Sequence, residues 1–352
     1  MARKVVLYRR APHLVCYWKN GRFLFCNYAH GRKTPASPIA CEILDFFSEW
    51  KSLEALGQAK LKVPAKTLDR TARAMTRAGL LNRSDQPLHP RERAMSRLDR
   101  WNPEAGFFHT STRDVPFLDK KLASERLQRQ ARTWPMPSPV KRYPAAKTVQ
   151  LEPHSRRGPL EETLLARRSW RQFGSGTIPL KTLGDLLGLT AGVQQWITLP
   201  GIGKVAFKTA PSGGARHPVE VYVLAWGVDG LSKGLYHYEA GRHRLALIRS
   251  RLDSRRVPEY LPEGDYWAAA CAVLFFTAVY ERHLWRYPYS RAYRAPLIEA
   301  GHLCQTFCLL ATSYGLAPFC GMGLADSRIE RDLRIDGVTE SVLYAAGVGI
   351  RP

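Results

Sequence analysis

The chain has 352 residues, 45% hydrophobic and 24% charged, which excludes a disordered polymer and leaves room for one to three domains of roughly 100–200 residues each. A formal charge of +23 favours anionic partners in general (nucleic acid, acidic peptide, phosphorylated ligand) without choosing among them. The odd count of seven cysteines and the lack of any CxxC pair argue against a disulfide framework or a structural zinc site, and point to a reducing, cytoplasmic compartment.

Residues 1–30 alternate apolar and polar in places, and Asn20-Gly21 supplies a turn between two such runs, predicting a hairpin. Ser37-Pro38 opens a helical pattern carried by Ile39, Ile43, Leu44, Phe46 and Phe47. A second helix is predicted around 53–56. A third opens at Pro64, with Leu68, Ala72, Met75 and Leu80 on one face and Gly79 at its end. Three short helices followed by a turn and a strand resemble a winged helix, so residues 1–84 are predicted to form a hairpin plus a winged-helix-like module. Residues 85–150 are rich in Pro and Arg and read as a partly ordered connector, with a helix near 118–134 and a linker at 135–139. From 151 to 352 the chain is a regular alternation of helical and extended patterns. Its longest apolar run, 268–279, is too short for a bilayer, which takes about 20 residues, and reads as a buried strand. No signal peptide is evident, and no membrane association is expected.

Five segments of this second half carry chemistry. The first contains Arg167, Arg168, Ser169 and Arg171 at a helix end, where guanidinium forks and a hydroxyl can hold a phosphate or can satisfy the helix's own carbonyls. The second, Pro211-Ser212-Gly213-Gly214-Ala215-Arg216-His217-Pro218, runs straight into a strand; paired glycines let backbone amides approach a ligand. The third, 234–245, reads as a structural hairpin with His237 and His243 exposed. The fourth holds Arg286, Tyr287 and Tyr289 just before the helical run 296–314; its tyrosines can donate protons or pack. Cys304 and Cys308, four apart on that helix, read as core packing, and no metal site is predicted. The fifth is the Gly-rich loop 315–323, with Gly321 and Met322. The chain then ends on a strand and Arg351.

In this order the segments resemble the nitroreductase superfamily, and specifically the SagB/ThcOx-type dehydrogenases of peptide-maturation clusters, over roughly residues 155–352. The resemblance rests on Arg-Arg-Ser-x-Arg, Pro-Ser-Gly-Gly-Ala-Arg-His-Pro, Gly-Leu-Tyr-His-Tyr and Arg-Ala-Tyr-Arg…Glu-Ala-Gly-His-x-x-Gln. It implies an α+β fold with an antiparallel-rich central sheet flanked by helices, and a homodimer with FMN at the subunit interface. By position, Arg167, Ser169 and Arg171 would hold the FMN phosphate and the pyrimidine side of the ring. Pro211, Ser212 and Gly213 would line the ring and ribityl chain, Gly321 and Met322 would present a backbone amide to flavin N5, and Arg351 would return to the phosphate. Tyr287, Tyr289 and Arg286 are the candidate catalytic residues. Azoline-oxidising relatives carry a Lys-Tyr pair where this chain reads Arg286-Tyr287-Pro288-Tyr289, so that Tyr287 or Tyr289 would fill the Tyr role and no Lys is present; an Arg cannot serve as a base near neutral pH.

The implied activity is two-electron oxidation of a residue in a ribosomally made precursor peptide, azoline to azole or a related dehydrogenation, beside other maturation enzymes and with the leader held by the N-terminal module. Two alternatives stay open: an NAD(P)H-dependent nitro, quinone or dehydroamino-acid reductase, and a redox-sensing DNA-binding regulator. Nucleic acid is the less favoured partner.

Overall fold

A computed structural model describes residues 5–59, 64–114, 117, 119–133, 138–139, 141, 149–153 and 158–352. The N-terminal part begins with β1 (Leu7–Arg10) and a meander of β2 (Leu14–Lys19), β3 (Arg22–Asn27) and β4 (Arg32–Pro35). The predicted hairpin is β2–β3; Asn20 and Gly21 both take positive φ (50° and 71°), the turn that matches strand twist. Then follow α1 (Pro38–Phe46), β5 (Lys51–Ser52), α2 (Leu53–Gln58), α3 (Ala65–Arg77) and β6 (Leu81–Arg83). Ser37 caps α1 and Ser52 caps α2, each accepting from a backbone N–H three residues on. The three helices and the strand come in the predicted order. Their sheet is β5–β1–β6, so its central strand is drawn from ahead of α1. Ile43, Leu44, Phe47, Leu56, Leu68, Ala72 and Met75 close one core beneath it.

The first part of the expected connector is folded against both neighbours. It holds α4 (Pro90–Met95) and α5 (Pro103–Ser111), and α6 (Lys120–Thr133) is the helix predicted near 118–134. Glu92 on α4 is buried and accepts from Asn27 (2.9 Å) and Asn82 (3.1 Å), tying α4 to β3 and β6. Trp101 packs edge-on against the stacked Tyr280 and Tyr293, each ring centroid 5.0 Å away, so the connector shares a core with the C-terminal half. Trp134 and most of the linker expected at 135–139 lie outside the described residues.

The C-terminal half contains α7 (Pro159–Ala166), β7 (Ile178–Pro179), α8 (Leu180–Ala191), β8 (Gln195–Leu199), β9 (Gly203–Phe207), β10 (Val219–Ala225), β11 (Val228–Asp229), β12 (Gly234–Glu239) and β13 (Arg244–Ser250). It continues with α9 (Val257–Tyr260), β14 (Ala272–Val279), α10 (Tyr280–Leu284), α11 (Arg294–Ser313), β15 (Ala317–Gly321), α12 (Asp326–Leu333) and β16 (Glu340–Gly349). Six strands form one sheet in the order β13–β12–β10–β14–β16–β15, each pair antiparallel. The apolar run predicted as a buried strand is β14, near the sheet's centre and covered on both faces, which is why it does not alternate. The helices α8 and α11 bury one face of the sheet; α9 and α12 bury the other. This is the expected α+β arrangement. No helix among the described residues is long and apolar enough to cross a membrane.

Candidate functional site

The predicted site residues gather at the two ends of α11. At its C-terminal end, the chain leaving α7 runs beside β15, with the Trp170 N–H donating to Pro318 O (3.0 Å). Arg351 lies over the Trp170 ring, 5.8 Å from its centroid. It donates through Nε to Leu316 O (3.1 Å) and through Nη2 to Thr312 O (3.0 Å), which cations at a helix C-terminus do readily. Arg168 donates to Leu165 O (2.7 Å), so that cation does satisfy its own helix. The others do not: the side chains of Arg167, Ser169 and Arg171 form no hydrogen bond among the described residues. Two guanidinium forks and a hydroxyl are thereby left for a ligand, a donor set that suits a phosphate. Gly321 ends β15 nearby, and Met322, the next residue, is 76% exposed.

Near the N-terminal end of α11 lies the 211–217 loop. Gly214, Ala215 and His217 all take positive φ, and the Ser212 hydroxyl accepts from the His217 N–H (2.9 Å). The paired glycines are required: a Cβ on Gly213 would sit 2.8 Å from His283, and one on Gly214 would overlap Arg286 and reach the Tyr287 hydroxyl at 3.0 Å. The loop therefore brings the predicted Gly213, with Gly214, against Tyr287 and Arg286, and Pro211 and Ser212 directly precede them. Tyr287 is half-buried, its ring 4.8 Å from His283; Tyr289 is 51% exposed and 6.2 Å from Tyr287. His283 is buried with an unpartnered Nδ1.

The same loop walls a cavity of about 420 Å³ lined by Lys208, Arg216, His217, Glu220, His237 and Arg282. Pattern reading missed this group because its members come from the residue after β9, the loop, β10, β12 and α10, far apart in sequence. His237, expected to be exposed, is half-buried and bonds Glu220 (2.7 Å), which also pairs with Arg282. His217 donates from Nε2 to Ala206 O (3.0 Å), and burial pushes its pKa down to about 4. Burial also pushes Lys208 below the usual lysine range, partly offset by Glu220 and Glu299. Glu299, on α11, is raised by burial. A larger cavity, about 670 Å³ between α8 and the β12–β13 hairpin, holds none of the predicted site residues.

From Glu299 beside the loop to Thr312 beside Arg351, α11 spans about 20 Å. One chain therefore does not bring the two groups together.

A family model described as the Nitroreductase family matches residues 164–350. The candidate nitroreductase MJ1384 of Methanocaldococcus jannaschii is 32% identical over 50% of this chain and 84% of its own. The trifolitoxin-processing protein TfxB of Rhizobium leguminosarum bv. trifolii is 30% identical over 46% of this chain and 44% of its own. The microcin B17-processing protein McbC of Escherichia coli is 28% identical over 40% and 53%. The chain thus spans about half the length of these two peptide-processing relatives. A chain of the E. coli microcin synthetase McbBCD complex, with truncated pro-MccB17 bound, covers 76% of this chain and 100% of its own. Its TM-score is 0.52 at 20% identity, a likeness of fold.

Proposed function

From the premise that the chain belongs to the nitroreductase family, a family of oxidoreductases, we propose that it is an FMN-dependent dehydrogenase acting on a ribosomally made peptide. The observation that carries the flavin part is the donor set Arg167, Ser169 and Arg171 just after α7, whose side chains make no hydrogen bond among the described residues. These residues would bind the FMN phosphate, with the remaining donors of Arg351 behind them. When bound, FMN supplies a two-electron acceptor.

The two groups of site residues meet if a second copy brings its 211–217 loop to the α7 end of the first. Supporting this, α7 buries none of its side chains although Leu160, Leu164 and Leu165 are exposed on it, and Leu297 and Ile298 of α11 are exposed too. An apolar helix face of this kind fits a homodimer contact. Pro211, Ser212 and Gly213 would then line the flavin from the partner side, while Gly321 and Met322 meet its N5 edge.

For the peptide, the residue losing a hydride must also lose a proton. Tyr287 is positioned by the glycine loop to hold or accept it, with Tyr289 at the rim. Arg286 stabilises negative charge there but takes no proton. Lys208, on the cavity walled by the same loop, is the candidate amine base in place of the missing Lys; burial lowers its pKa from the ordinary lysine value.

The peptide assignment is supported by the relatives TfxB and McbC and by the extra N-terminal module. We read that module, winged-helix-like in helix order, as the leader reader. A cavity of about 610 Å³ between β1, β2 and α1 has Leu14, Phe25 and Leu44 on its walls and Arg9 and Arg10 at its edge, which suits an acidic amphipathic leader.

The test is incubation of FMN-loaded protein with a leader-bearing precursor peptide from its gene neighbourhood. Loss of two hydrogens from the peptide is expected. An unchanged peptide together with rapid bleaching of the flavin by NADPH would instead assign a small-molecule reductase.

A further inference from the structure

Cys304 and Cys308 project from successive turns of α11, and β15 delivers Cys320 to the same point. The three Sγ atoms all lie within 4.8 Å of one another. Cys304 and Cys308 are buried; Cys320 is half-buried and faces the more open side. This convergence is invisible in the spacing of the sequence, where the third thiol follows in a different element with no CxxC to announce it.

We propose that these three thiolates bind one zinc ion, with a fourth position open on the Cys320 side. Zinc takes sulfur ligands at about 2.3 Å, which sets S···S separations near 3.8 Å in a tetrahedron, so a contraction of up to about 1 Å by side-chain rotation closes the site. Three protein ligands with one open position is an arrangement zinc accepts. A disulfide uses the cluster less well. The helix pair has Cβ atoms about 5–6 Å apart, beyond the roughly 3.5–4.5 Å a disulfide needs, and any pairing with Cys320 strands the third thiol.

The surroundings fit the charge. Three thiolates and a divalent cation carry one net negative charge, and the Arg167 guanidinium lies close enough to Cys308 and Cys320 to offset part of it. The Tyr344 hydroxyl donates to the Cys320 sulfur (3.3 Å), the outer-shell bond that orients a ligand. Bound metal would clamp α11 to β15 directly before Gly321 and Met322.

The experiment uses the full chain purified under reducing conditions. Elemental analysis is expected to show one zinc per chain. After chelation, Co²⁺ is expected to restore one equivalent with the thiolate charge-transfer band and intense visible absorption of four-coordinate cobalt. Tyr344→Phe is expected to weaken the metal about 10–100-fold, Cys320→Ser to abolish the cobalt bands, and Cys41→Ser, an exposed thiol elsewhere, to leave them unchanged. Because a buried serine can disturb folding, the unsubstituted protein supplies a second readout: one equivalent of Zn²⁺ should slow alkylation of Cys304, Cys308 and Cys320 but not of Cys16 or Cys41. Sub-stoichiometric zinc, only the weak absorption of octahedral cobalt, or alkylation indifferent to Zn²⁺ overturns the proposal. So does a two-hydrogen mass loss that a reductant reverses, which would make the cluster a dithiol redox pair.

Discussion

Gly214 is constrained by both its φ of 62° and its neighbours Arg286 and Tyr287, so it ties a backbone conformation to the placement of the candidate catalytic side chains. Gly214→Ala is expected to cost about 1–2 kcal/mol from the left-handed conformation alone and to lower turnover by displacing Tyr287; denaturant titration and steady-state kinetics check the two effects separately. Tyr287→Phe should lower kcat about 10²–10⁴-fold with FMN content unchanged, whereas Tyr289→Phe, exposed at the rim, should have a small effect. Equal losses in both would remove Tyr287 from its role. If Lys208 is the base, activity rises with pH as its amine loses a proton, and Lys208→Met flattens that limb of the pH profile; an unchanged profile excludes it. His109 gives a stability test remote from the site. It donates from Nε2 to Gly337 O (3.2 Å) and is buried, which pushes its pKa down to about 3. A folded pKa below the unfolded one means stability is whole above about pH 6.5 and is lost as pH falls toward 3, at about 1.4 kcal/mol per pH unit. His109→Gln should therefore show a shallower acid-side fall in its urea midpoint than the parent protein; parallel curves would contradict the assignment. Local segments were legible as segments: Arg167, Ser169 and Pro211–Gly213 each lie within one short run, and the functional roles proposed for them rest on the family resemblance. Chemistry was hidden where the partners come from different strands, as with Lys208, Glu220 and His237, or Cys320 with the α11 cysteines.

Elements were more readable than contacts. The Asn20-Gly21 turn, the Ser37 cap and the unbroken apolar run of β14 each carry a local physical signature that tertiary packing did not override. The connector was harder, because Pro and Arg content marks irregular chain without saying where it docks. Trp101 is buried among Tyr280, Tyr293 and His109, so Trp101→Ala should cost about 3–5 kcal/mol and loosen the N-terminal module from the C-terminal half; limited proteolysis and thermal melting would show it. On the N-terminal module, Arg9→Glu with Arg10→Glu should weaken binding of an acidic leader while sparing flavin content. Unaltered leader affinity would move the leader site elsewhere.

For the whole molecule, the nitroreductase fold explains why the segments recognised in sequence order do not form one site in one chain: α11 holds them about 20 Å apart. A second copy seated on the leucine face of α7 would join them, so Leu164→Glu should give monomers that lose FMN together with the dimer. The α+β sheet and its family were legible from motif order. A homodimer is implied only through the family resemblance, since an exposed leucine on α7 looks the same in sequence as a buried one. The central claim is that the donors Arg167, Ser169 and Arg171 hold FMN. It is tested most directly by the visible absorption spectrum of the purified protein, with identification of any cofactor released by heat. The two-banded spectrum of an oxidised flavin and released FMN, both absent from an Arg167→Gln, Arg171→Gln variant of unchanged melting temperature, is the predicted result. A colourless protein that takes up no added FMN would contradict the account.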